Sequence, residues 1–76
     1  MKVLVTGGGG FLGSAICRQL HARGDEVIAF QRSAADELKK LGIKIEKGDI
    51  TDVDRLISAS KGVDAIIHTA AKAGLS

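Results

Sequence analysis

Four short apolar runs recur along the chain, and each has the length and composition of a β-strand. They occupy positions 2–5, 26–30, 43–47 and 63–68. The first is a continuous apolar run of the kind that is buried on both faces of a parallel sheet. The third alternates apolar and polar residues, which predicts a sheet position that is exposed on one side.

Amphipathic segments separate these runs and predict three helices. The first ends at Gly24 and has a predicted inward face made of residues at three- and four-residue spacing: Phe11, Leu12, Ala15, Ile16, Leu20 and His21. The second is short and has a capping-box signature at Ser33 and Asp36. Either Thr51 or Asp52 caps the third.

Strands that alternate with helices through short connections predict an α/β fold. With right-handed crossovers, the βαβαβαβ pattern gives a partial Rossmann fold, a doubly wound parallel sheet with strand order 3-2-1-4. In that order the chain switches direction between the first and fourth strands. Ligands bind in the crevice at the carboxyl ends of those strands.

Consecutive glycines at positions 7–10, followed by Gly13, lie where the first strand turns into the first helix. Glycine lets a ligand approach the main chain, and the free N–H groups of the first helical turn favour an anion. Gly8, Gly10 and Gly13 fit the G-x-G-x-x-G dinucleotide spacing. Gly7, Gly10 and Gly13 fit the related G-x-x-G-x-x-G spacing. Both spacings predict a phosphate-binding loop, and a glycine turn without chemical importance is the alternative.

The end of the second strand is where a bound dinucleotide presents its adenosine ribose. An acidic residue there binds the ribose hydroxyls of NAD, whereas an arginine accommodates the extra phosphate of NADP. The strand ends in Gln31, Arg32 and Ser33, without an acid. The Arg32 guanidinium can bind a 2′-phosphate through two hydrogen bonds, and Ser33 can add a hydroxyl. NADP is therefore favoured over NAD, and an exposed loop arginine is the alternative interpretation.

Two other strand ends carry candidate cofactor contacts. After the third strand, Asp49 could accept a hydrogen bond from the adenine amino group while Ile50 covers the ring, or Asp49 could cap the loop. After the fourth strand, the small side chains of Ala70 and Ala71 would let the ribose and nicotinamide pack against the backbone. His68 is interpreted as a hydrogen-bonded structural residue. Acidic Asp25 lies at the opposite end of the sheet and is interpreted as a solvated charge.

The overall composition argues against several other functions. The net charge is +2 with basic and acidic residues interspersed, and aromatic residues make up 3%, so neither nucleic acid nor an anionic membrane is expected as a partner. No apolar run approaches the roughly 20 residues of a membrane span, and a cytoplasmic location is expected. The single cysteine, Cys17, is expected to be a buried thiol, and no metal site is predicted.

Segments 3–13, 48–52 and 63–71 form a pattern that is more specific than any one of them. Together they resemble the extended and atypical short-chain dehydrogenases/reductases, the NAD(P)-dependent epimerase/dehydratase family. Segment 68–74 looks most like the branch with hydroxysteroid dehydrogenases and related 3-oxoacyl or sterol reductases. The resemblance implies the following cofactor contacts: Gly7, Gly10, Phe11, Leu12 and Gly13 at the phosphates, Asp49 at the adenine, and Ala70 and Ala71 further along the cofactor.

Two departures from the family pattern refine this expectation. Gln31 stands where NAD-using members carry an aspartate, which again favours NADP. Catalysis in the family depends on a Tyr-x-x-x-Lys motif beyond the fourth strand, and this chain has no tyrosine. We therefore expect residues 1–76 to be the N-terminal, cofactor-binding portion of a longer oxidoreductase, inactive alone, that transfers hydride to or from a carbonyl or hydroxyl substrate. No catalytic residue is assigned.

Two other functions stay open from the sequence. One is a nucleotide-sugar epimerase or dehydratase that uses NAD, and the other is a non-catalytic dinucleotide sensor or scaffold. The expected partners are the dinucleotide and, in the longer enzyme, a small-molecule substrate. Assembly into a homo-oligomer is also left open. The isolated segment is expected to be marginally stable or to self-associate, because its fourth strand would present an uncovered apolar edge.

Overall fold

Strands and helices alternate along the chain as the sequence predicts. The computed structural model describes residues 1–7, 10–32 and 34–69, and within them it contains four strands and three helices. The strands are β1 (Lys2–Thr6), β2 (Glu26–Gln31), β3 (Lys44–Lys47) and β4 (Ala65–His68), and the helices are α1 (Phe11–Ala22), α2 (Asp36–Lys40) and α3 (Val53–Ala59). None of these described helices has the length and apolar character needed to cross a membrane.

All strand pairs in the sheet are parallel, and the strand order is β3-β2-β1-β4, which confirms the predicted doubly wound topology. Leu4 on β1 is in register with Ile28 on β2 and with Ile66 on β4. Residues 3–6 of β1 are buried, as expected for a central strand that is covered on both faces. The switch point therefore lies between β1 and β4.

Each face of the sheet carries its own apolar cluster. On one face, Val3 and Val5 pack with Cys17 of α1 and Leu38 of α2. Burial raises the pKa of the Cys17 thiol to about 11, in agreement with its predicted role as a buried structural residue. The opposite face is covered by α3, through the cluster of Leu4, Ile28 and Phe30 with Leu56, Ala59 and Val63 packed against it.

The predicted inward face of α1 is wrong for its first turn. Phe11 is 97% exposed, and Leu12 and Ala15 are also exposed. A crossover helix runs back along the sheet, so its first turn lies at the carboxyl edge of the strands, where little covers it. The helix instead buries Gly13 and Cys17 and partly buries Ile16 and Leu20.

The helix caps agree with the prediction in part. Asp52 caps α3, and its carboxylate accepts a hydrogen bond from the Arg55 N–H at 3.2 Å. The capping box predicted for the second helix is wrong, because α2 begins at Asp36 after Ala35, whose methyl group accepts no hydrogen bond. Ser33 itself lies outside the described residues.

Asp25 lies at the amino edge of the sheet, as predicted, but it is not a solvated charge. Its side chain is only 10% exposed, and its carboxylate forms ion pairs with the Met1 amino group at 3.3 Å and with Arg23 at 3.1 Å. This cluster fixes the end of the sheet opposite the predicted crevice.

Candidate functional site

A cleft of about 550 Å³ opens at the carboxyl ends of the strands. Parallel strands present their carboxyl ends at one edge of the sheet, so segments that are distant in sequence meet there. Residues in or after the carboxyl ends of the four strands line the cleft: Thr6, Gly7, Gly10, Phe30, Gln31, Arg32, Gly48, Asp49, Ile50, Thr51 and Thr69.

Gly7 forms the sharp turn that leaves β1. Its φ is +75°, in the left-handed region that favours glycine, and its N–H donates to the Phe30 carbonyl at 2.8 Å. The Gly7 carbonyl accepts from the Gly10 N–H at 2.9 Å. A Cβ at Gly7 would lie 2.7 Å from Thr69 Oγ1, so both the backbone angle and the close approach of Thr69 require glycine.

The end of β4 is tied to the end of β1 at the switch point. Thr6 Oγ1 and His68 Nδ1 form a hydrogen bond of 2.6 Å. The Thr6 carbonyl accepts from the Thr69 N–H at 3.2 Å and also from the Thr69 hydroxyl. His68 is therefore hydrogen-bonded to its neighbouring strand, in agreement with its interpretation as a structural residue.

The amino end of α1, where the helix dipole is positive, lies next to this turn. Gly10 is the N-cap and has no side chain to occupy the free N–H groups of the first turn, which also contains no acidic residue. An anion can approach these N–H groups without meeting a competing carboxylate. Gly13 is buried in the helix, where its small size brings α1 close to the sheet.

The end of β2 presents one buried amide and one exposed guanidinium. The side chain of Gln31 belongs to a residue that is only 7% exposed. The backbone carbonyl of Gln31 accepts a hydrogen bond from the Gly48 N–H at 2.7 Å. Arg32 is exposed, and its Nη1 lies 3.7 Å from Asp49 Oδ2 across the cleft. The predicted phosphate-binding arginine thus lies beside the predicted adenine-binding carboxylate.

Asp49 uses its two oxygens in different directions. Oδ1 accepts from the Thr51 N–H at 3.0 Å and from Thr51 Oγ1 at 2.9 Å, while Oδ2 faces Arg32. The hydrogen bonds from Thr51, and secondarily the Arg32 charge, lower the pKa of Asp49. Asp49 therefore caps its loop, as one of the two sequence interpretations proposed, and still presents one oxygen to the cleft.

Phe30 is a buried residue of the cleft that the sequence interpretation placed only in a strand. It is fully buried, and a Cβ on Gly48 would lie 2.7 Å from its Cζ. Thr51 and Thr69 were also not predicted as cleft residues. A sequence signal existed for Thr51, because a threonine two positions after an aspartate is typical of an Asx turn.

The cleft brings together only some of the predicted site residues. Gly7, Gly10, Arg32, Asp49 and Ile50 all line it. Three of the other predicted residues do not line it, because Phe11 and Leu12 are exposed on the first turn of α1 and Gly13 is buried. Ser33, Ala70 and Ala71 lie outside the described residues.

These groups suit an elongated anionic ligand. Helical N–H groups and a guanidinium can bind phosphate oxygens, the Asp49 carboxylate can accept hydrogen bonds, and the exposed apolar side chain of Ile50 can border an aromatic ring. The described residues that line the cleft include no tyrosine, lysine, histidine or cysteine that could act as acid, base or nucleophile. The cleft can therefore hold a dinucleotide.

Comparison with known proteins agrees with this geometry. The 2-alkyl-3-oxoalkanoate reductase of Stenotrophomonas maltophilia is 53% identical over 74 residues, which are 97% of this chain and 22% of that protein. The 3 beta-hydroxysteroid dehydrogenase/Delta 5-->4-isomerase of Mycobacterium tuberculosis is 41% identical over 92% of this chain and 19% of its own length. The chain thus spans about a fifth of the length of these relatives.

A solved structure and a family model complete the comparison. The UDP-glucose-4-epimerase from Stenotrophomonas maltophila, with bound NAD and formylated UDP-arabinopyranose, has a TM-score of 0.84 and 31% identity over 95% of this chain and 25% of that chain. The model of the NAD dependent epimerase/dehydratase family matches residues 3–76. The parallel sheet, the glycine turn and this match lead to one conclusion: the chain belongs to the NAD-dependent epimerase/dehydratase family.

Proposed function

We propose that the chain is the N-terminal, cofactor-binding portion of an NADP-preferring oxidoreductase. The observation that carries the proposal is the meeting of the Gly7 turn, Arg32 and Asp49 in one cleft at the carboxyl edge of the sheet. The names of the reductase and dehydrogenase relatives support the reaction class. The bound cofactor would supply hydride transfer to or from a carbonyl or hydroxyl carbon.

Each part of the cleft has a proposed role in binding. The start of α1 binds the pyrophosphate, since its free N–H groups and the helix dipole favour negative charge, and the turn at Gly7 and Gly10 leaves room for the ligand to approach. Asp49 accepts from the adenine amino group while Ile50 covers the ring. The remaining proposed contacts come from Phe11, Leu12 and Gly13 on α1 and from Ser33, Ala70 and Ala71, which lie outside the described residues.

The proposed preference for NADP rests on the end of β2. Gln31 is uncharged, so it does not repel a 2′-phosphate as an acidic residue would. Arg32 is exposed at the cleft and can form charge-assisted hydrogen bonds with that phosphate.

Arg32→Ala tests this preference. We expect the variant to lose about 10- to 100-fold in NADPH affinity, because hydrogen bonds to charged groups contribute about 1.5–3 kcal/mol, while NADH affinity stays nearly unchanged. Titration calorimetry on the intact protein measures both. Arg18→Ala removes the same charge from the surface of α1, outside the cleft, and is the matched control. Equal affinity of the unmodified protein for NADH and NADPH would contradict the assignment.

A nucleotide-sugar epimerase is the second candidate function, favoured by the structural similarity to the UDP-glucose-4-epimerase with bound NAD. Uncharged Gln31 disfavours it, because it lacks the acidic group that binds the NAD ribose. NAD that remains bound through purification would support the epimerase. A Tyr-x-x-x-Lys motif in the coding sequence after these residues would support either enzyme, and its absence would support a non-catalytic sensor.

A further inference from the structure

Arg32 and Asp49 are the charged residues among the described residues that line the cleft. They follow different strands, and the distance from Arg32 Nη1 to Asp49 Oδ2 is 3.7 Å. The carboxylate is anchored by its two hydrogen bonds from Thr51, whereas the arginine side chain is long and mostly exposed. Asp49 is thus the member of the pair that hydrogen bonds hold in place.

This spacing limits how far a bound phosphate can be from Asp49. A phosphate oxygen that binds Nη1 lies about 2.8 Å from it. With the guanidinium in its present place, that oxygen is within about 6.5 Å of the Asp49 carboxylate. This distance is shorter than the Debye length of about 8 Å at physiological ionic strength, so the two negative groups repel each other.

We infer that Asp49 is a specificity-determining residue that weakens the preference for NADP, because its carboxylate repels the 2′-phosphate that Arg32 attracts. This inference rests on the proposed function. The lowered pKa of Asp49 keeps the carboxylate ionised at neutral pH. The uncharged ribose hydroxyls of NAD do not meet this repulsion, so the pair of opposite charges makes the cleft more tolerant of NAD than Arg32 alone would.

The opposite effect, in which Asp49 holds Arg32 in place for the phosphate, is weaker in this geometry. A charge-assisted hydrogen bond measures about 2.7–2.9 Å, and the Arg32–Asp49 separation is longer, at 3.7 Å. Both side chains contact solvent, where such pairs do little to fix a side chain. A phosphate monoester carries nearly two negative charges at neutral pH, which enlarges the repulsion.

Asp49→Asn tests the inference, since asparagine keeps the shape and an acceptor for Thr51 but removes the charge. The probes are adenosine 2′,5′-bisphosphate and AMP, which present the adenosine half of the cofactor with and without the 2′-phosphate. We expect the ratio of bisphosphate to AMP affinity to rise about three- to tenfold in calorimetric titrations of the intact protein. The gain should shrink at high salt.

Two further variants separate the possible outcomes. Asp49→Ser, a second uncharged variant, should shift the ratio in the same direction, and Asp54→Asn, which removes an acid from α3 outside the cleft, should not. A lower ratio in Asp49→Asn would mean that Asp49 positions Arg32, and an unchanged ratio would mean that Asp49 does not face the phosphate. Either result overturns the inference.

Arg32→Ala distinguishes failure of this inference from failure of the proposed function. If Arg32→Ala lowers the affinity ratio and Asp49→Asn does not raise it, only the inference fails. If Arg32→Ala leaves the ratio unchanged, or neither probe binds, the NADP assignment itself fails.

Discussion

Gly48, which has no side chain, leaves room for the Phe30 ring at the base of the cleft. The Phe30 ring is fully buried, and it reaches so close to Gly48 that a Cβ there would lie 2.7 Å from Cζ and 3.0 Å from Cε1. Gly48 does not have a positive φ, so the space it leaves for Phe30, and not its backbone conformation, explains the glycine. The loop that carries Asp49 is therefore seated directly on an aromatic ring.

Gly48→Ala is expected to destabilise the protein by about 1–3 kcal/mol, because the added methyl group forces the ring to shift in a packed core. Urea unfolding measures the change in the free energy of unfolding. Gly24→Ala is a useful contrast, since Gly24 has a φ of +94° and no neighbour within 4 Å, and its cost is backbone strain alone. Adding Phe30→Leu should recover part of the loss for Gly48→Ala and none for Gly24→Ala; equal recovery would contradict the packing argument.

Residue types at strand ends made part of the site predictable. Gly7, Gly10, Arg32, Asp49 and Ile50 follow strands whose carboxyl ends must share one edge of a parallel sheet, so the sequence places them together. The proximity of Arg32 to Asp49, and of Gly48 to Phe30, depends on ångström distances between strands. No local pattern encodes those distances.

At the scale of elements, α3 contacts the sheet through few residues, and none of its residues is fully buried. Its stability therefore depends strongly on local interactions such as its cap. The sequence left Thr51 and Asp52 as alternative caps, and the structure assigns them different roles. Asp52 bonds the Arg55 N–H of the helix, while Thr51 bonds Asp49 in the cleft.

Asp52→Ala is expected to destabilise the protein by about 1 kcal/mol, because the Arg55 N–H loses its acceptor. Thermal unfolding followed by circular dichroism measures the change. The control is Asp54→Ala, which removes a first-turn acid that is not the N-cap. A larger loss for Asp54→Ala than for Asp52→Ala would show that charge at the helix terminus, and not the cap bond, stabilises α3.

The predicted inward face of α1 was wrong for its first turn, and the reason is the length of the sheet relative to the helix. Apolar periodicity identifies the apolar face of a helix. The length of the sheet decides how many turns of that face the sheet covers. Phe11 continues the apolar side one turn beyond the sheet and is exposed. The pattern therefore indicated the helix correctly and its buried length incorrectly.

The two edges of the whole sheet differ in chemistry. The β3 edge carries Lys44, Glu46 and Lys47, and such charges protect an edge from pairing with other chains. The β4 edge, Ala65–His68, has no permanently charged side chain, and Ile66 is 55% exposed. Within the described residues β4 pairs with β1 alone, so its other edge is open.

Ile66→Lys is expected to lower self-association of the 76-residue chain, because a charge on β4 opposes edge pairing. Sedimentation velocity over a range of concentrations measures the association. Ile57→Lys, on the exposed side of α3 and away from a strand edge, should change it less. An unmodified chain that sediments as a monomer at all concentrations would contradict this prediction.

The bond between the ends of β1 and β4 has a consequence for protein engineering. Thr69 is held to the Thr6 carbonyl by two hydrogen bonds and lies against Gly7, which begins the phosphate turn. Exchange of the glycine loop alone between homologues would join a new turn to an old β4 end. A glycine loop taken from a homologue should therefore be transplanted together with the residues at 68–69 that contact it.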